Sequence, residues 1–176
     1  MQRAIFLDRD GVINYPIVLL GKPYAPKFFN EFVLYPDAIK SLQEFRLKGY
    51  ALVVVTNQPD IGHGLIDMSE IIQMHQYLER YIEIELIQIC PHKQDEGCLC
   101  RKPKAGMLFD AAKRMNIDLP NSWLIGDRIS DIQAGNQGGV NTIFIDRGYA
   151  ETQGKIIEAH IVSSLQEACS LILATD

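Results

Sequence analysis

Short, wholly apolar runs alternate along the chain with stretches in which apolar residues recur every third or fourth position. Ala4-Ile5-Phe6-Leu7, Ala51-Leu52-Val53-Val54-Val55, Leu86-Ile87-Gln88-Ile89-Cys90, Trp123-Leu124-Ile125 and Thr142-Ile143-Phe144-Ile145 read as strands. Runs this short, several rich in β-branched residues, suit central strands covered on both faces. The intervening periodicity predicts five helices. The first opens at Pro36-Asp37 with Asp37 as its cap, carries Ile39, Leu42 and Phe45, and stops at Gly49. The second starts at Asp67, with Glu70 placed for a capping box ahead of Ile71, Met74, Leu78 and Tyr81. A third covers Met107 to Asn116, and a fourth runs from Ser130 to Gln137 and stops at Gly138-Gly139. The last is framed by Ser164 and Glu167 and continues through Ala168, Leu171 and Ile172.

Repeated βα units imply a single doubly wound α/β domain over residues 1–176, built on a parallel sheet. Ligands of such sheets bind beyond the carboxyl ends of the strands. The polar residues at those ends are Asp8, Thr56, Cys90 and Asp127, so chemistry is to be sought there.

Composition narrows the partners. The 176 residues suffice for one sizeable core, and 47% of them are apolar, as in ordinary globular proteins. A net charge of −5 without a basic run argues against nucleic acid or an anionic membrane surface. No apolar stretch approaches the ~20 residues of a membrane span. Because Met1 leads directly into a strand-like run, no signal peptide is expected, and the protein is read as cytoplasmic with reduced thiols.

The segment after the first strand reads Asp8-Arg9-Asp10-Gly11-Val12-Ile13-Asn14. Carboxylates at i and i+2 point the same way from an extended backbone, and Gly11 then lets the chain turn. An ionised carboxylate at Asp8 can attack phosphorus without a separate base. A neighbouring carboxyl at Asp10, its proton held by like-charge repulsion, can protonate a leaving oxygen and later deprotonate water. Alone, such a pair is most often a turn or a solvated acidic patch. Three features converge on it here. Thr56-Asn57 follows the second strong strand and offers phosphate a hydroxyl and an amide, with Gln58 beside them. Lys102 offers a point charge, and Arg101 and Arg128 are further cationic candidates for binding substrate. Asp127, four residues from Asp131, makes with Asp8 a hard oxygen site for Mg²⁺. A cation is needed, since a carboxylate attacking a phosphate dianion brings like charges together.

Cys90-Pro91-His92 and, five residues on, Cys98-Leu99-Cys100 gather one His and three Cys within eleven residues. Soft thiolates plus imidazole in a closed set of four suit a structural, tetrahedral Zn²⁺. Such a clip would brace a small loop and fix Arg101 and Lys102, which follow Cys100, toward the phosphate. Cys169 lies on the apolar face of the last helix and reads as core.

The Asp8/Asp10, Thr56, Lys102 and Asp127 motifs, in this order over most of the chain, resemble the haloacid dehalogenase-like phosphatases. The resemblance implies a Rossmann-like doubly wound sheet, Asp8 as nucleophile, Asp10 as acid/base, and Thr56 and Lys102 on phosphate. It implies Mg²⁺ held by Asp8, the Asp10 backbone carbonyl and Asp127. Dehalogenases lack the second Asp and the ATPase branch has Thr there, so Asp10 favours a phosphatase. No stretch between motifs is long enough for a large cap, so a capless site is expected, open to small substrates or covered by loops. Zinc loops of this kind mark two branches, the heptose-bisphosphate phosphatases and the histidinol phosphatases. Asn14, Arg101-Lys102-Pro103 before Gly106-Met107, and the short chain resemble the first branch. The implied substrate is then D-glycero-D-manno-heptose 1,7-bisphosphate, losing its 7-phosphate, with histidinol phosphate as the alternative.

One motif departs from that branch. Its usual T-N-Q-x-G-I-A-R-G is here Thr56-Asn57-Gln58-Pro59-Asp60-Ile61-Gly62-His63-Gly64. His63 replaces the loop Arg and Asp60 the first loop Gly, which bears on a second, distal phosphate. The loop from Tyr15 to Tyr35 is longer than the family norm. Its Lys22, Tyr24 and Lys27 are possible sugar or phosphate contacts, while Phe28, Phe29 and Phe32 are expected to pack it down. His75 and His160 read as a helix-face and a loop residue without a role, and the protein as a monomer. Two readings from other classes stand beside the phosphatase: a receiver-type phospho-acceptor domain and a binding protein on a retired enzyme scaffold.

Overall fold

The apolar runs become strands because each of their faces meets a layer of helices. The computed structural model describes residues 1–152 and 158–175. In chain order the strands are β1 (Ala4–Leu7), β2 (Ile17–Leu19), β3 (Lys22–Tyr24), β4 (Ala51–Asn57), β5 (Leu86–Cys90), β6 (Trp123–Gly126), β7 (Asn141–Ile145) and β8 (His160–Val162). The helices are α1 (Ala38–Leu47), α2 (Pro59–Gly62), α3 (Met68–Glu79), α4 (Gly106–Met115), α5 (Ile129–Gly138) and α6 (Leu165–Thr175). Alternate residues of β1 serve opposite cores. Ile5 and Leu7 pack with Leu42 and Phe45 of α1 and Leu165 and Ile172 of α6. Ala4 and Phe6 pack with Met107 and Leu108 of α4 and Ala134 of α5. The sheet is therefore wound on both faces, as its continuous apolar strands require.

The main sheet is parallel throughout, in the order β5-β4-β1-β6-β7-β8. The chain builds outward from β1 to β5, then crosses to the other side of β1 to add β6. That reversal leaves a crevice beyond the carboxyl ends of β1 and β6, where Asp8 and Asp127 stand. Strand β4 runs two residues further than expected, so Thr56 and Asn57 still pair with Ile89 and Cys90.

Several local expectations change. His160 begins the edge strand β8 rather than lying in a loop, with its ring 6.0 Å from that of Trp123. The 15–35 segment holds the antiparallel hairpin β2–β3 and a 3-10 turn at Phe29–Glu31. Of its three phenylalanines, Phe32 is buried and Phe29 rests edge-on against Tyr77, but Phe28 stays exposed. Asp37 does not cap α1; its carboxylate accepts from the Gln166 N–H at the start of α6 (2.9 Å). Asp67 does cap α3, through the Ser69 N–H (2.8 Å). Glu70 accepts instead from the Phe29 N–H (2.8 Å), holding the 3-10 turn against α3. Ser164 accepts from the Glu167 N–H (3.1 Å), while the Glu167 carboxylate turns back to Ser163. Among the described residues, no helix is long and apolar enough to cross a membrane.

Candidate active site

Strand β1 ends by placing Asp8 beside the crevice, and the next residues fold into a tight loop. The Arg9 carbonyl accepts from the N–H groups of Val12, Ile13 and Asn14 (3.3, 2.8 and 3.2 Å), and the Gly11 N–H donates to the Asn14 carbonyl (2.8 Å). Gly11 sits at φ +91°, and a Cβ there would lie 1.7 Å from Asp127 Oδ2. Only glycine satisfies both that backbone and the approach of loop one to the carboxylate beyond β6. The Arg147 guanidinium braces the turn by donating from Nε to the Gly11 carbonyl (2.8 Å).

Lys102 is the hub. It is 3% exposed, and its ammonium meets Asp8 Oδ1 at 3.0 Å, Asp131 Oδ1 at 2.7 Å and the Val55 carbonyl at 2.7 Å. It donates a hydrogen bond to the Val55 carbonyl and pairs as an ion with the two carboxylates. Burial works against its charge, but Asp131 and Asp8 more than offset this and raise its pKa above the ordinary lysine value. The backbone of Lys102 is clamped by Asn57, whose Nδ2 donates to the Lys102 carbonyl (3.0 Å) and whose Oδ1 accepts from its N–H (3.1 Å). Here the Asn57 side chain positions Lys102 with both of its polar atoms.

Both oxygens of Asp10 are gripped. Arg9 reaches them through Nε (3.1 Å) and Nη2 (2.9 and 3.0 Å), Asn14 through Nδ2 (2.9 Å) and Gln58 through Nε2 (2.9 Å). Gln58 also donates to Thr56 Oγ1 (2.9 Å). Arg9 is not among the residues the sequence singles out, although a cation between two aspartates is a visible signal.

Asp8, Asp127 and Asp131 are buried, and each offers an oxygen within 4.8 Å of the others. Burial, followed by its charged neighbours, raises Asp8 to about 6, even with Lys102 pulling it down. Asp127 is raised well above the usual carboxylate range by burial and then by Asp8 and Asp131. Neither Asp127 oxygen has a hydrogen-bond partner among the described residues. The Tyr149 hydroxyl lies close enough to Asp127 to interact electrostatically but makes no well-formed hydrogen bond. Three buried carboxylates face one ammonium, and orphaned oxygens point into the surplus. That donor set fits a hard divalent cation. With its carboxylate engaged, Asp10 would contribute its backbone carbonyl.

These groups open into a cleft of about 600 Å³ lined by Asp8, Asp10, Asn57, Gln58, Arg101, Lys102 and Arg128, with Asp131 and Ser130. Pro16, Pro23 and Tyr24 form one wall, and Lys93, Gln94 and Lys104 another. The hairpin segment is therefore part of the cleft, through Tyr24 rather than through Lys22 or Lys27. Arg128 pairs with Glu151 and donates to the Pro23 carbonyl (3.3 Å), tying the hairpin to the loop after β6. Arg101 donates to the His92 carbonyl (3.4 Å). His63 lies outside the cleft wall, with its Nε2 3.3 Å from Gln94 Oε1.

Cys90, His92, Cys98 and Cys100 converge as the spacing predicts. Cys100 Sγ lies 3.2 Å from Cys90 Sγ, 3.6 Å from Cys98 Sγ and 3.2 Å from His92 Nδ1. Cys90 Sγ lies 3.6 Å from Cys98 Sγ and 3.5 Å from His92 Nδ1. These separations approach the edges of a tetrahedron whose bonds are about 2.3 Å to sulfur and about 2.0 Å to nitrogen. Burial and the adjoining Cys100 thiol push Cys90 up to about 12, so a bound cation is what would keep it a thiolate. The Lys104 ammonium donates to the Gly97 and Cys98 carbonyls (2.9 and 2.6 Å), joining this loop to the cleft.

The HAD-hydrolase-like family model matches residues 99–168. The D-glycero-beta-D-manno-heptose-1,7-bisphosphate 7-phosphatase of Pasteurella multocida is 32% identical over 98% of this chain and 97% of its own. The D-glycero-alpha-D-manno-heptose-1,7-bisphosphate 7-phosphatase of Campylobacter jejuni is 37% identical over 81% of each. Among solved structures, D,D-heptose 1,7-bisphosphate phosphatase from B. bronchiseptica, complexed with magnesium and phosphate, aligns with a TM-score of 0.86. It is 27% identical, over 99% of both chains.

Proposed function

Because this chain belongs to the haloacid dehalogenase-like hydrolases, we propose that it is a Mg²⁺-dependent phosphatase that removes the 7-phosphate of D-glycero-D-manno-heptose 1,7-bisphosphate. The observation that carries the chemistry is Lys102, buried between Asp8 and Asp131 at the floor of an open cleft. The substrate rests on relatives named for it that align with most of the chain. Asp8 attacks phosphorus, and the P–O bond to the sugar breaks in line with that attack. Asp10 gives its proton to the departing oxygen. Asp10 then takes a proton from water as water attacks the phosphoaspartate and frees Asp8 and inorganic phosphate. Lys102 neutralises phosphoryl oxygens, with Thr56, Gln58 and Arg101 beside it. When bound by Asp8, Asp127 and the Asp10 carbonyl, Mg²⁺ supplies electrostatic relief between the anionic nucleophile and the phosphate. A structural Zn²⁺ on Cys90, His92, Cys98 and Cys100 would hold the loop that presents Arg101 and Lys102. We propose a monomer acting on a small molecule in the cytoplasm.

The test is a phosphate-release panel with Mg²⁺, comparing both heptose bisphosphate anomers, histidinol phosphate and an aryl phosphate. A preference for a heptose bisphosphate and a dead Asp8→Asn variant support the proposal. Orders-of-magnitude preference for histidinol phosphate overturns the substrate. Single-turnover labelling without phosphate release would point to the receiver-type reading, and binding without turnover to the retired scaffold.

A further inference from the structure

His75, a helix-face residue without a role by its sequence, is the one polar residue among the four that α3 buries. It is 6% exposed, and its helix neighbours Ile71, Met74 and Leu78 are buried apolar residues. Its Nε2 lies 3.3 Å from Nη1 of Arg9. Among the described residues Arg9 is the largest fully buried side chain, at 0% exposure. Its Nε and Nη2 hold both oxygens of Asp10, its Nη1 faces His75, and its guanidinium carbon stands 5.6 Å from the Phe32 ring centroid. A guanidinium only donates, so the facing His75 nitrogen must be an acceptor, which fixes the neutral imidazole with its proton on Nδ1. Burial, and then the Arg9 charge, lower the His75 pKa to about 4, in keeping with that state.

From this chain of contacts we infer that His75 is a positioning residue for phosphoryl transfer, holding the Arg9 fork that in turn aims the carboxyl of Asp10 at the departing oxygen. Arg9 has the length and flexibility to take other rotamers. The contact at Nη1 and the nearby Phe32 ring restrict that freedom, so the Asp10 oxygens are held at both ends, by Arg9 on one side and by Asn14 and Gln58 on the other. Geometry controls acid catalysis closely, because a small misplacement of the donor forfeits proton transfer at the moment the bond breaks. The inference rests on the reading of Asp10 as acid/base given above.

The experiment exploits the leaving group. An alkyl phosphate departs as a poor leaving group and needs the proton, whereas p-nitrophenolate does not. His75→Met fills the site but lacks a good acceptor, His75→Gln keeps an oxygen near the place of Nε2, and Arg9→Lys keeps charge without the fork. In the Mg²⁺-loaded enzyme, His75→Met and Arg9→Lys are expected to lower kcat on the sugar phosphate about tenfold or more, against about 10²–10⁴ for complete loss of the acid. KM should hold, and the pre-steady-state burst of p-nitrophenolate, the bond-breaking step that needs no acid, should slow by less than about threefold. His75→Gln should recover most of the loss. Equal falls in the bond-breaking step of both substrates in a folded His75→Met, or no fall on either, overturn the role of His75. Asp10→Asn is run alongside: if it keeps sugar-phosphate turnover, the acid/base reading of Asp10 itself is wrong, a result distinct from the failure of His75.

Discussion

Replacing Lys102 by Met tests the centre of the site, because the change keeps the length of the side chain and deletes only its charge and donors. At an effective dielectric constant near 20, each contact of 2.7–3.0 Å between the ammonium and Asp131 or Asp8 has a gross attraction of roughly 6 kcal/mol. Desolvation of the three buried ions offsets most of that. What remains after truncation is dominated by carboxylates left without a counter-charge, and breaking a buried pair from one side costs about 3–5 kcal/mol. The Val55 carbonyl also loses its donor. We therefore expect Lys102→Met to lower unfolding free energy by about 3 kcal/mol at pH 7 in urea with a chelator present, without a change in m-value. Added Mg²⁺ should recover part of the loss. Turnover should fall by about 10²–10³, the scale of removing one electrostatic donor from a preorganised site. A stability change under about 1 kcal/mol together with kcat within about threefold of wild type would refute the placement of Lys102 as the hub. The pH dependence carries a second check. A folded-state pKa of about 6 for Asp8 means its contribution to stability is present below the ordinary value of 3.8 and is lost as pH rises toward 6. In Lys102→Met, where the lysine no longer pulls that pKa down, the loss should extend to higher pH.

Gly11→Ala should cost at least about 2 kcal/mol, from a left-handed backbone and a Cβ driven against Asp127, and should weaken activation by Mg²⁺ when titrated with the metal. Purified protein should contain about one zinc per chain by elemental analysis, and Cys100→Ser should lose it and lower the melting temperature. His75 gives a pH effect of opposite sign to that of Asp8. Its depressed pKa contributes stability that is present above 6.5 and lost as pH falls toward 4, at most roughly 3 kcal/mol. Because the two slopes oppose each other in the wild type, the difference between wild type and His75→Gln is the quantity to measure. A flat difference between pH 4 and 6.5 would contradict the buried, neutral state of His75.

The sequence by itself determined whatever depends on spacing within one element or on the chemistry of one side chain. Apolar runs at Ala4–Leu7 and Ala51–Val55 are too short for helices and rich enough in β-branched residues to read as buried strands, so Asp8 and Thr56 are carried to the carboxyl edge of the sheet. Three thiolates and an imidazole within eleven residues converge because a short loop has few other ways to arrange them. Partners distant in the chain were beyond that logic. His75 and Arg9 are 66 residues apart, Asn57 and Lys102 are 45, and Asp37 caps α6 from 129 residues away. A helix-face histidine, a strand-end asparagine and a helix-start aspartate look alike to any local rule, because each has a plausible local partner. Which partner wins depends on what packing brings within hydrogen-bonding reach once the cores on both sides of the sheet have closed. The strand at His160 and the hairpin at Ile17–Tyr24 escaped for a related reason. Both are only three residues per strand, too short for a period, and they exist because a neighbouring strand supplies their hydrogen bonds.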